Sequence, residues 1–180
     1  MSMTVDRDPD TQPADVRMPA PLHLWRDERP LPEWVQGLAK DFDVDGLVEV
    51  IIGRCLSIAF PNQAHDDEFR GYLTASTRAN ARCLRSVIAG EIVLEDVYLE
   101  QVLSFAKVQA QLRIPQKSMQ RSYRISFFTM WEAWSAHLRQ IITDRDVDRD
   151  EAALAQQLLT QTILGNLAFK IAISFLLRFS

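Results

Sequence analysis

PQKSMQRSYRISFFTMWEAWSAHLRQII, residues 115–142, decides the fold. Met119, Tyr123, Phe127, Met130, Trp134, Leu138 and Ile141 recur in steps of 4, 4, 3, 4, 4 and 3. That is the period of an amphipathic helix. Pro115 sits at its head, where a missing backbone N–H costs nothing. Ile125, Phe128 and Trp131 add apolar surface on a second side. A helix apolar on two sides is expected at the centre of a bundle, or between a core and a partner chain.

The flanking sequence continues the helical pattern. Glu33 to Lys40 predicts a short helix, and Asp45 to Phe60 a full one with Leu47, Val50, Ile51, Arg54, Cys55 and Ile58 in its rhythm. Pro61 stops it. A third helix is expected from about Ala64, its first turn loaded with Asp66, Asp67 and Glu68, which suits the positive end of the helix dipole. Phe69, Leu73, Asn80, Leu84 and Val87 share one face of it, and Gly90 is placed as its C-terminal cap. A fourth helix is expected over residues 94–112, with Val97, Val102, Phe105 and Val108 inward. Asp148 and Glu151 form an Asp-x-x-Glu cap for the last helix. No strand-like alternation and no internal repeat is seen.

The chain has 180 residues, room for one domain. Six of its eight prolines precede residue 33. Residues 1–30, polar and Pro-rich, are expected to be disordered because they cannot bury enough apolar surface to offset ordering. His23, Leu24 and Trp25 are the one docking-like patch within them. Residues 31–180 are expected to fold as an all-α helical bundle of about five to six helices, a globin-like layout being one form it can take. Two scattered cysteines, Cys55 and Cys83, make no disulfide framework and point to a cytoplasmic setting.

The formal charge of −4 and the absence of a dense Lys/Arg cluster argue against direct nucleic-acid binding. No secretory signal is visible at the N-terminus. Residues 161–179 are the one membrane candidate. Thr162, Asn166, Lys170, Ser174 and Arg178 run through them as a polar stripe, so a packing helix is expected and no membrane partner.

Little in the chain reads as an active site. No nucleophile elbow, phosphate loop or His-Glu-x-x-His run appears, and no enzyme activity, metal or cofactor is expected. His137 is the only histidine on a core-forming helix. It raises a haem-binding or small-molecule sensor of globin-like shape as the alternative reading, since haem iron can be held by one proximal histidine. A half-exposed structural histidine is the simpler account. Asn80 falls on an apolar helix face, where a buried amide either fixes packing or holds a ligand. Arg121, Tyr123 and Arg124 could meet a small anion or a partner carboxylate, or simply face solvent.

The run from Phe105 to Ile114-Pro115, then Arg121-Ser-Tyr123-Arg124 and Trp131, resembles the RsbRD-type N-terminal regulatory domain. That domain heads PucR/CdaR-like transcription regulators of actinobacteria and some stressosome co-antagonist proteins. Asn80 followed by Leu84-Arg85 matches the family's Asn-Leu-Arg region, and the resemblance spans about residues 45–165. One departure is Arg113, where the family has glycine. The resemblance implies an all-α sensor domain that forms a homodimer and takes a small-molecule ligand or a regulatory protein as partner. Asn80, Arg121, Tyr123, Arg124 and Trp131 are the candidate binding residues. The family's helix-turn-helix output domain has no counterpart before Ser180, so DNA binding is not expected of these residues.

Overall fold

A computed structural model describes residues 29–93 and 100–176, with only the backbone at 100–103, 106 and 167–176. The Pro-rich segment before Arg29, the expected inward Val97 and the side chains of Val102, Lys170, Ser174 and Arg178 lie outside the described residues. Among the described residues there are six α-helices and no strand, as the periodicity predicts. They are α1 (Glu33–Gln36, continued by a 3-10 turn, Gly37–Lys40), α2 (Val44–Ile58), α3 (Asp67–Ile88), α4 (Glu100–Gln111), α5 (Gln116–Arg145) and α6 (Arg149–Leu176).

Helix α2 packs on α3 and α5, and α6 packs on the same two, so these four close a ring. Helix α4 lies against α3 and α6. Bonds from Arg54 to Thr129 and from Arg121 to the Ile58 carbonyl set α2 antiparallel to α5. Trp131 to Thr160 and Gln156 to Ser135 do the same for α5 and α6. No helix among the described residues is long and apolar enough to cross a membrane.

The helix starts follow from capping. Asp43 accepts the Gly46 N–H at 2.8 Å, and a β-carbon on Gly46 would run into that carboxylate. Asp66 accepts the Phe69 N–H at 3.0 Å, so it caps α3 rather than joining its first turn. A 3-10 turn at Pro61–Gln63 occupies the stretch just before Ala64, where α3 was expected to begin. Asp148 caps α6 through the Asp150 and Glu151 N–H groups. The expected Asp-x-x-Glu box is only half made, because the Glu151 carboxylate instead accepts the Trp34 indole N–H at 2.7 Å.

Three helices end in the same way. At Gly90 (φ +73°) the chain turns left-handed, Gly90 N–H bonds the Val87 carbonyl, and Glu91 N–H bonds that of Ser86. This is a Schellman turn. Arg113 (φ +51°) and Asp146 (φ +50°) make the same turn after α4 and α5 without glycine. The Arg113 turn brings Ile114 onto the core and lets Pro115 open α5.

The core fills the ring. Trp134 is fully buried and stacks on Phe42 with centroids 3.7 Å apart and planes 7° from parallel. Phe60, Phe69 and Phe105 form a second aromatic cluster, with centroid separations of 5.1 to 6.3 Å. Helix α2 is rotated from its expected register. Leu47, Ile51 and Cys55 are buried, but so are Val48, Ile52 and Leu56, while Val50 and Ile58 are half exposed and Arg54 is at the surface. The buried face is therefore centred one position further on. On α3, Ile88 is buried and Val87 only partly so.

Arg113→Gly should stabilise the fold by about 1 kcal/mol, because a left-handed backbone carries a β-carbon penalty that glycine lacks. Urea unfolding reads this, and a loss of stability would contradict the strain assigned to that turn.

Candidate functional site: a polar cavity inside the helix ring

Helix α5 carries a face of small polar residues that periodicity alone assigns to solvent. Ser122, Thr129 and Ser135 are nonetheless buried. Three hydroxyls on this helix bond its own carbonyls: Ser122 to Met119 at 2.8 Å, Ser126 to Ser122 at 2.9 Å and Thr129 to Ile125 at 2.7 Å. A hydroxyl satisfied by its own helix can be buried without a cross-helix partner. Across from it, the Cys55 sulfur lies 3.9 Å from both the Ser122 carbonyl and the Ser126 hydroxyl. Burial pushes the Cys55 thiol up from 9.0 to about 11, and the Ser126 hydrogen bond offsets only part of that.

Next to this seam is a cavity of about 40 Å³. Helix α3 lines it with Ser76, Thr77 and Asn80, α5 with Ser122, Tyr123 and Ser126, and α6 with Asn166. Leu73, Phe105, Phe127, Met130 and Ile163 supply its apolar wall. The volume suits about three water-sized groups. Asn80 Oδ1 is buried, and among the described residues no donor reaches it. Asn166 is 2% exposed, and its amide nitrogen lies 3.9 Å from the Cys83 sulfur. The polar stripe expected along α6 is therefore turned inward at Asn166.

The structure divides the predicted site residues. Asn80 and Tyr123 meet at the cavity. Arg121 points away from it and donates to the Ile58 carbonyl, at the end of α2, at 3.3 Å. A cation there suits the negative end of the helix dipole. Arg124 is exposed on the outer face of α5. Trp131 bonds Thr160 at 3.2 Å and ties α5 to α6. His137 lines a separate open groove, with Phe42, Arg54 and Glu132, and its Nε2 lies 3.2 Å from the Leu38 carbonyl. A haem iron on that nitrogen would have to displace the contact. Among the described residues no three His, Cys, Asp or Glu side chains converge to hold a metal.

Ser76, Thr77, Ser122, Ser126 and Asn166 were not singled out as site residues from sequence. A signal was present. Thr77 and Asn80 fall on the helical face of Leu73 and Leu84, and polar groups at core positions mark a buried polar site.

Asn80→Leu should leave the protein at least as stable as the wild type, since removing an unpaired buried acceptor recovers up to about 1–3 kcal/mol of desolvation cost. A marked loss of stability would show that the amide is holding the bundle together. Cys55 should react with maleimide no faster than the protein opens, because it is both buried and protonated. The folded thiol keeps its proton up to about 11 and the unfolded one only to its ordinary value, so stability should fall as pH rises from 9 towards 11. Denaturant melts of wild type and Cys55→Ala across that range measure it, and identical alkaline slopes would refute the assignment.

Comparison with protein-family models, with curated proteins and with solved structures returns no match, so the reading of this site rests on its chemistry.

Proposed function

We propose that the chain is a non-catalytic regulatory module, a sensor or dimerisation domain of the bacterial transcription-regulator or stress-signalling kind. It relays ligand or partner binding through its last helix. The observation that carries this reading is the cavity shared by α3, α5 and α6, with an unpaired acceptor on α3 and Asn166 on α6. A ligand shifts such a bundle only by binding one arrangement of its helices better than another. A group bonded between Asn80 and the α6 wall meets that condition, because its contacts depend on where α6 lies.

The likeness of residues 45–165 to RsbRD-type domains supports the same reading. It also brings the cytoplasmic setting and the homodimer as parts of the proposal. The outer face of α5 offers the dimer a surface. Phe128 is 56% exposed there, on the same helix as exposed Arg124 and Glu132. These residues make no DNA contact in this account. Arg124→Ala and Tyr123→Phe should keep the fold and lose the partner or ligand response.

Light scattering across a concentration series should give a dimer, and Phe128→Glu should shift it towards monomer with an unchanged helical spectrum. A strict monomer at high concentration counts against the dimeric module.

A further inference from the structure

The cavity sets an unmet acceptor among hydroxyl and amide groups that can also donate, Ser76, Thr77 and Asn166. The Ser122 and Ser126 protons are spent on helix carbonyls, so these hydroxyls have only lone pairs left to offer. Asn80 adds an unmet carbonyl oxygen, and Asn166 directs its N–H towards a sulfur. Among the described residues no charged side chain lines the space. An ion entering it would lose its hydration without gaining a counter-charge, which is prohibitive. The volume of about 40 Å³ suits a group of about three heavy atoms. Asn80, Tyr123, Ser126 and Phe127 are only partly buried, so the way in passes between α3 and the first turns of α5.

We infer that this cavity binds a compact, neutral N–H donor of the small-amide class, held by Asn80 Oδ1. This rests on the regulatory reading and names the ligand chemistry it needs. Water shares the donor chemistry and competes for the same acceptor. What distinguishes the amide is that it carries a donor and an acceptor on one planar frame, so its N–H can meet Asn80 while its carbonyl turns to the hydroxyl and amide donors of Ser76, Thr77 and Asn166. Three heavy atoms, even at the best efficiency small ligands reach, give about millimolar affinity. The site would therefore report abundance of a small metabolite rather than trace amounts.

The test is a titration of the full chain, followed by ¹H–¹⁵N NMR, with formamide as probe. Acetonitrile, equal in heavy atoms but without an N–H, is the control. Formamide should give saturable shifts around Ser76, Asn80, Ser126 and Asn166, and acetonitrile should not. Asn80→Leu should weaken the response at least tenfold, and Ser76→Val, which narrows the space and spares Asn80, should do the same. Linear shifts without saturation, an equal response to acetonitrile, or undiminished binding in both variants would overturn the inference and leave water as the only occupant. Binding by a strictly monomeric protein would uphold this site and remove the dimeric module. A dimer that ignores formamide would do the reverse.

Discussion

The close approach of α2 to α5 is the constraint on which the rest depends. Cys55 can lie 3.9 Å from the Ser122 carbonyl and the Ser126 hydroxyl only because both helices present small side chains there. Backbones that meet so closely leave no room for the large residues of α5 on that side. Met130, Trp134 and Leu138 consequently fill the interior of the ring, where Trp134 finds Phe42. The small polar seam and the large apolar core are two results of one packing choice. The cavity forms beside that seam, where polar walls meet apolar ones.

Much of the fold was legible because helices announce themselves by period. The α5 steps and the stop at Pro61 agree with the structure to within a residue or two. The register of α2 was not legible, for a specific reason. From Leu47 to Ile52 only Glu49 is polar, so two faces one position apart fit the period equally well. Neighbouring helices break that tie by burying Val48 and Ile52. The α6 cap was misread for another reason. Glu151 has the spacing of a capping box, but the competing donor, Trp34, is 117 residues away. Local sequence cannot register it.

The candidate site was half legible. Asn80 stands out because an amide on a Leu-lined face has to be explained, and Tyr123 because it falls in a recognisable run. The serines were hidden. A hydroxyl that bonds the preceding turn of its own helix is satisfied wherever it points, so its polarity no longer tells inside from outside. Arg121 was misleading in the opposite sense. Its charge suggested a ligand, yet it serves the carbonyl end of a neighbouring helix. Gln109 Oε1 and Trp134 Nε1 share with Asn80 the condition of buried polar atoms that no group among the described residues satisfies. At about 1–3 kcal/mol each, such groups are a sizeable fraction of the 5–15 kcal/mol that typically holds a domain together.

The bond between Trp34 and Glu151 has a consequence for the order in which the fold is completed. A contact that spans 117 residues closes slowly, because the loop between its ends must first be organised. As the chain is synthesised, α1 emerges before α6, and its indole lacks the Glu151 acceptor until the start of α6 has been made. Helix α1 therefore gains this tether only late in assembly, when α6 can complete the ring.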